Sequence, residues 1–503
     1  MRVQRRTATA AAALAAAGLA VTTVAAGPAF ADNPNSSHEM RAAVTVDGVM
    51  QHLEAFQEIA DQNDGNRGAG TAGYEASGAY VEKVLQQAGY ETERQYFDFV
   101  YDKVVSTSLD EVSPDQRSIE HNPMSYSPST PAGGITAALA APSGAATGCE
   151  SSDWAGFPAG SIAVVSRGVC AFAVKSQMAK AAGAPAAIVY NNGDGDLNGT
   201  LGGPGDDYAP ITGVTKAEGA TLLGKIAAGG VTVKFDLQKI VEDRRTFNLV
   251  AETATGRDDN VVMLGAHLDS VDDGAGINDN GSGSAGILES AVQLAKVNKL
   301  NNQVRFAWWS AEELGLLGSE HYVADLAENN EDELDRIATY LNFDMIGSPN
   351  YKIGVYDADQ STYKAPVTVP KGSIETEDVL TSYFDGIGQP WVDTEFSGRS
   401  DYQAFIEHGV PASGLFTGGD GVKTAKEVDM FGGTAGITYD PNYHSPADDI
   451  TNVNSTALDI MSDAIAHATI TLAQSTESIN GARSAGRSGN PHPVEDHLHE
   501  DVA

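Results

Sequence analysis

Residues 261–284 read VVMLGAHLDSVDDGAGINDNGSGS, and this stretch decides the fold. Four apolar residues in a row, Val261 to Leu264, mark a strand covered on both faces. His267 and Asp269 follow where that strand would end, the edge of an open α/β sheet where chemistry sits. The loop beyond is crowded with Gly, Asn and Ser and carries Asp279, twelve residues after His267. A helix is expected over 286–296. An imidazole and an acid are thus delivered to one sheet edge by a strand, a loop and a helix in succession.

Downstream, the pattern repeats. Gln303 to Glu313, QVRFAWWSAEE, is an apolar strand ending in two consecutive acids. Successive side chains leaving a strand point apart, so Glu312 and Glu313 can do different work. Taken alone, both could simply open the helix expected over 314–326, where acids suit the positive end. Tyr340 to Met345, YLNFDM, is another strand closing on an acid, Asp344. Tyr443 and His444 lie in the Pro-rich loop YDPNYHSPADD, residues 439–449. His267, Asp279, Glu313, Asp344 and His444 offer nitrogen and oxygen donors without thiolate, a set suited to zinc, with manganese or cobalt as alternatives. Five ligands suit two ions about 3.5–4 Å apart better than one, and the reaction class is metal-assisted hydrolysis. His52 lacks such company and is read as a helix-surface residue; His321, His408 and His467 are read as surface or packing residues.

Upstream, helices are expected over 46–62 and 74–88, the second stopped by Gly89, with the turn-rich NRGAGTAG at 66–73 between them and a strand over 91–100 after them. From 101 to 238 the texture changes to short β runs, such as 162–166 and 186–190, broken by Gly, Pro and Ser, with one helix near 173–182. No catalytic set appears there, so it reads as an inserted, mostly-β domain between residues 32–100 and 239–474 of the main domain. NNGDGD at 191–196 lacks the spacing and terminal Glu of an EF-hand and is read as a solvated turn.

The chain opens MRVQRR, continues with an Ala-rich run and reaches Ala29-Phe30-Ala31, the layout of a secretory signal peptide over 1–31, by the general or the twin-arginine route. A run so rich in Ala and Thr that ends at a processing site argues against a membrane anchor. In an exported chain, the only two cysteines, Cys149 and Cys170, are expected to pair. Loss of the leader removes Arg2, Arg5 and Arg6 and takes the formal charge from −37 to −40, which excludes nucleic acid as a partner. The many acids permit calcium binding without locating it. Residues 475–503, with His492, His497 and His499, lack core periodicity and read as a disordered or processed tail.

GAHLDS at 265–270, GINDNGSGSA at 276–285, FAWWSAEELGLLGS at 306–319, LNFDMIGSPN at 341–350, GRSDY at 398–402, GLFTG at 414–418 and YHS at 443–445 together resemble the secreted, co-catalytic zinc aminopeptidases of metallopeptidase family twenty-eight. The resemblance implies a mixed central sheet flanked by helices and an exopeptidase acting on peptide or protein N-termini, with large apolar residues such as Leu preferred. Asp279 would bridge two zinc ions, with His267 and Asp344 completing one site and Glu313 and His444 the other. Glu312 would be the general base, Tyr443 a donor to the oxyanion, and Asp269 the acid that orients the ligand imidazole. Met345 and Phe416 would line the side-chain pocket, and Arg399 would meet substrate oxygens. A strained or cis peptide after Asp279 is a further implication. Short relatives carry two cysteines around the final His; here Asn442 and Ala447 stand there, and Pro441 and Pro446 are expected to hold the loop instead.

SIAVVSRGVCAFAVKSQMAKAAGAPAAIVYNN, residues 161–192, resembles a protease-associated domain, which in such relatives narrows the cleft. Related folds perform carboxypeptidase chemistry or glutaminyl cyclisation, and some receptors join this insert to a degenerate peptidase that binds without cleaving. These are the alternatives.

Overall fold

The computed structural model describes residues 36–481. The expected signal peptide and the three tail histidines lie outside them. Strand Arg257–His267 sits mid-sheet between Asn302–Trp309 and Ile337–Asp344, both parallel to it, and Ala412–Phe416 continues the parallel run. Antiparallel partners flank this core, Gly354–Tyr356 on one side and Thr232–Glu252 on the other, so the sheet is mixed as expected. The apolar run is explained by its two faces: Val262 and Leu264 join a core under helices Val46–Gln62, Gly283–Leu294 and Ser455–Gln474, whereas Met263 joins a second core under Leu317–Asn329 and Tyr402–Glu407. Register then aligns the strand ends, Trp309 opposite His267 and Asp344 opposite Phe416.

Local signals mark the helix ends. Thr45 and Thr71 accept the backbone N–H of Gly48 and Tyr74 at 3.1 and 3.3 Å, and Gly89 closes helix Ala72–Ala88 at φ 99°. His52 departs from expectation: it is 8 % exposed, with Nδ1 2.7 Å from the Tyr80 hydroxyl and Nε2 3.3 Å from Glu289. Its helix packs directly on the one that carries Glu289, so the ring is a buried link between helices. His321 stacks on Phe97 and His467 on Tyr383, the packing roles expected, and the ring of His408 contacts the carbonyl of Ala404.

The strand expected to stop at Val100 runs on as Glu91–Ser113, paired antiparallel with Thr232–Glu252 from Glu91↔Glu252 to Ser113↔Thr232. β-branched residues, Val104, Val105, Thr107 and Val112, persist past Tyr101, which is why the strand does not break there. Its middle is a bare two-stranded neck, with Val104, Val105, Ile240 and Val241 exposed. Beyond the neck, strands Ile135–Ala140, Ile162–Ser166, Ala187–Tyr190 and Ile211–Val214 form a parallel set. Helix Phe172–Ala181 was expected and helix Lys216–Ala227 was not. Glycines weaken the helical pattern of the second, yet Gly219 is a packing residue, since a Cβ there would lie 2.2 Å from that of Tyr190. Cys149 and Cys170 are bonded, with an S–S distance of 2.07 Å. Of the solvated turn expected over 191–196, residues 192–196 are exposed, whereas Asn191 is buried and donates to the carbonyls of Gly195 and Asp196.

The tail departs from expectation at its start. Helix Glu477–Asn480 is packed, with Ile479 in the main core and Thr476 accepting a hydrogen bond from Asn260 at 2.9 Å.

Gly265, two residues before His267, leaves no room for a side chain: a Cβ would lie 2.2 Å from the Tyr340 hydroxyl and 2.6 Å from Trp309 Nε1. Gly265→Ala is expected to cost about 1–3 kcal/mol through overpacking, read as a lowered midpoint in thermal unfolding.

Candidate metal centre

The aligned strand ends and the loops behind them bring the predicted donors together. His267, 1 % exposed, holds its Nε2 3.3 Å from Asp279 Oδ1 and 3.5 Å from Asp344 Oδ1. Asp279 Oδ2 lies 3.1 Å from His444 Nε2, which is itself 2.9 Å from Glu313 Oε2. Two donor groups result, His267–Asp279–Asp344 and Asp279–Glu313–His444, each with its atoms within 4.8 Å and with Asp279 common to both. Glu312 Oε2 stands 3.9 Å from His267 Nε2, outside either trio.

Glu312 and Glu313 do not open the following helix, which begins at Leu317. They sit in a turn after strand Asn302–Trp309, and Asp269 fixes that turn by accepting the N–H of Glu312 and of Glu313 at 3.3 and 3.4 Å. The same carboxylate lies 3.6 Å from His267 Nδ1, while the Asp269 carbonyl is nearer, at 3.1 Å. Asp269 therefore ties the imidazole to the pair of acids.

The loop bearing Asp279 is held from several directions. Asp448 accepts the N–H of Asn278 and Asp279 at 2.9 Å each. Asn280 donates to the Phe343 carbonyl at 2.9 Å and accepts from Met345 N–H at 3.1 Å, joining this loop to the strand of Asp344. The Asp279–Asn280 peptide is cis, as the resemblance implied. Ser400 donates to Asp344 Oδ2 at 2.6 Å and accepts from Asn342 at 2.8 Å. The His444 loop, which contains Pro441 and Pro446, is also fastened by hydrogen bonds of Asn452 to Asp440 and Asp448 and of Asn442 to Asn452. Ala311, Met345 and His444 have φ of 58°, 48° and 54°, so three non-glycine residues in the left-handed region flank the donors.

Electrostatics favour a cation. Burial opposes protonation of His444, yet Asp279 and Glu313 outweigh it and raise its pKa to about 10. Burial pushes Glu313 up to about 7, reinforced by Asp279 and opposed by His444. Glu312 is also driven well above the usual carboxylate range by burial, against the pull of His267. Glu313 Oε1 and Asp344 Oδ1 are buried without a hydrogen-bond partner. Crowded carboxylates that draw protons onto imidazoles, together with orphaned oxygens, fit divalent ions bound by nitrogen and oxygen.

At the rim, Tyr443 stacks on His444 at 3.8 Å, and its hydroxyl lies 3.4 Å from Arg399 Nη2. Arg399 is exposed and pairs with Asp420 at 3.2 Å. Met345 is buried beside Tyr443, since a Cβ on Gly419 would lie 3.3 Å from Met345 Sδ and 3.6 Å from Tyr443 Cε2. Phe416 ends its strand under the ammonium of Lys352, 5.7 Å from the ring centroid. On another side the neck reaches the loop that leads to Asp279: Tyr101 donates to Asp272, and Lys103 Nζ lies 3.3 and 3.2 Å from Asp272 and Asp273. A separate acidic trio, Asp357, Asp359 and Glu377, has Asp357 and Glu377 already accepting backbone N–H groups of residues 358–363.

Reading the sequence missed Asp448, Ser400, Asn280 and Arg67. All four lie in stretches quoted above, Arg67 in NRGAGTAG, Asn280 in GINDNGSGSA, Ser400 in GRSDY and Asp448 in YDPNYHSPADD, but nothing in their spacing marks the contacts they make.

Known proteins bear on this geometry. The sequence matches Peptidase family M28 over residues 248–469 and the PA domain over 135–222. It is 42 % identical to a probable leucine aminopeptidase 2 of Trichophyton verrucosum over 439 residues, 87 % of this chain and 86 % of that one. It is 44 % identical to an aminopeptidase of Pseudomonas aeruginosa over 450 residues, 86 % and 82 % of the two chains. Among solved structures, the aminopeptidase of Aneurinibacillus sp. strain AM-1 superposes with a TM-score of 0.66 at 27 % identity, covering 86 % of this chain and 95 % of that one. A mixed α/β sheet with these donors at its edge, in a chain with these relatives, defines a metallo-aminopeptidase. The chain belongs to peptidase family M28 and carries a PA domain.

An ion held only by the folded protein stabilises it by mass action, about 4 kcal/mol at a thousandfold excess over Kd. Metal-free protein titrated with zinc is therefore expected to melt at a higher temperature. An unchanged midpoint would count against the donor set.

Proposed function

We propose that this protein is a secreted zinc aminopeptidase that removes the N-terminal residue of peptides, with Leu and other large apolar residues preferred. The observation that carries the reading is the Asp279 carboxylate, whose two oxygens face His267 and His444 while Glu312 stands beside them. In this reading His267, Asp279 and Asp344 hold one zinc ion, and Asp279, Glu313 and His444 a second. Zinc is favoured over manganese or cobalt by the likeness to a zinc aminopeptidase from Bacillus subtilis, with a TM-score of 0.58 at 25 % identity, covering 86 % of this chain and 96 % of that one. When bound, the ions supply Lewis acidity toward the peptide carbonyl and make water more acidic.

The chain's own groups do the rest. Glu312 accepts the proton of the attacking water and returns it to the leaving amine, a task suited to a carboxylate whose burial raises its proton affinity. Tyr443 donates its hydroxyl to the oxygen on which charge develops, steadied by the stack on His444 and by Arg399. Asp269 keeps His267 and the Glu312–Glu313 turn in register. Asp344 Oδ1, without a hydrogen-bond partner, is placed to meet the substrate ammonium as well as an ion. Met345 and Phe416 line the pocket for the first side chain, and Arg399 meets substrate or product oxygens. The insert on its neck, residues 101–238, limits the size of the substrate that reaches the cleft.

Secretion rests on the leader of residues 1–31; among the described residues, no helix is long and apolar enough to cross a membrane.

The test is hydrolysis of Leu-p-nitroanilide beside its N-acetylated form, by metal-free protein with zinc added back. Cleavage of the free amine alone, rising to a plateau at two zinc ions per chain, is the expected result. Cleavage of both would overturn the exopeptidase reading, and cleavage of neither would favour carboxypeptidase, cyclase or receptor. Glu312→Gln is expected to lower kcat by about 10²–10⁴-fold with both ions retained, as measured by metal analysis of the dialysed variant.

A further inference from the structure

Arg67 has 0 % exposure, yet it lies outside the catalytic motifs, in the turn-rich segment between the first two long helices. Its guanidinium points into the loop that joins His267 to Asp279. Nη1 donates to the Leu268 carbonyl, Nε to that of Ala275 at 2.9 Å and Nη2 to that of Gly276 at 2.7 Å. Its own N–H donates to Ser270 Oγ at 2.9 Å, and its carbonyl accepts the N–H of Ser270 at 3.4 Å. One side chain thus grips both the start of the loop, next to His267, and its end, three residues before Asp279.

We propose that Arg67 is a positioning residue for the metal centre, setting the distance and orientation of Asp279 relative to His267 by holding the two ends of their loop in one planar fork. The inference rests on the metal-site reading above. Three carbonyls approach in directions that match the donors of a rigid guanidinium and not the single point of an ammonium. Gly276 lies in the left-handed region at φ 60°, and its carbonyl also accepts Gly281 N–H at 3.0 Å. The fork therefore braces the residue at which the chain turns toward Asp279. Phe56 covers the guanidinium, with its ring centroid 5.1 Å away.

The charge has a purpose as well. Burial pulls the Arg67 pKa down to about 10, opposed by Asp269, Asp448 and Asp279, so it remains a cation at neutral pH. A fixed cation behind the loop offsets the mutual repulsion of carboxylates that face the ions. It does so without occupying a donor position.

Arg67→Lys keeps a charge and loses the fork; Arg67→Ala loses both. Zinc affinity is measured by competition with a chromogenic chelator, and the fold of each metal-free variant by its melting midpoint and circular dichroism. Both variants are expected to bind zinc 10–100-fold more weakly than the unaltered protein, the range for removing a group that orients ligands. Millimolar guanidinium ion is expected to restore affinity in Arg67→Ala and not in Arg67→Lys, whose ammonium fills the place. Wild-type zinc affinity in both variants would overturn the proposal, as would weakened binding in a folded Arg67→Ala that guanidinium leaves unchanged. If Arg67→Ala does not fold, Arg67→Lys decides by its affinity alone. Failure of the unaltered protein to take up zinc would instead overturn the metal-site reading.

Discussion

Everything around the centre follows from one constraint: the Asp279 carboxylate must sit between two imidazoles while almost removed from water, at 5 % exposure. A carboxylate in that place needs positive partners on each oxygen and a backbone that cannot swing it away. The chain meets the first need with imidazoles delivered from a strand end and from a distant loop. It meets the second by spending neighbouring polar groups on the backbone, Asp448 on two N–H groups and Asn280 on the strand of Asp344. His267 and Asp344 thus come from the ends of parallel strands and the other donors from the loops and turns beyond, while their precision comes from side chains that donate to or accept from loop backbone.

That arrangement explains where strain collects. Ala311, Met345 and His444 occupy the left-handed region without being glycine, each beside or within the donor set. Such conformations persist only when the surroundings over-determine them. Met345 shows how: its N–H is given to Asn280, and its carbonyl accepts the N–H of Thr417 at 2.9 Å. From Gln303 to Trp309 the pairing with Val261–His267 is regular up to the sheet edge, and the backbone turns irregular just beyond, where chemistry requires side chains to diverge from strand directions.

The same division governs what the sequence reveals. Strands Arg257–His267, Asn302–Trp309 and Ile337–Asp344 are legible because burial on both faces demands an apolar run, and donors are legible because His and acids interrupt it. Arg67, Ser400 and Asp448 are not, because each acts through a partner far along the chain; Arg67 reaches carbonyls about 200 residues away. The buried role of His52 is hidden for a similar reason, since its carboxylate partner, Glu289, is 237 residues distant. The neck is hidden for a different reason, because alternation along a strand says where pairing occurs and not which core the strand serves.

The insert leaves and re-enters the main domain through strands that pair with each other from Glu91↔Glu252 onward. Its two ends are therefore neighbours at the spacing of a ladder, about 4.8 Å. Topologically, the PA domain is the loop of a hairpin grown to the size of a domain. Such a loop can be exchanged, lengthened or cut back to a tight turn without rethreading the sheet that holds the donors. Modularity here belongs to two adjacent strands.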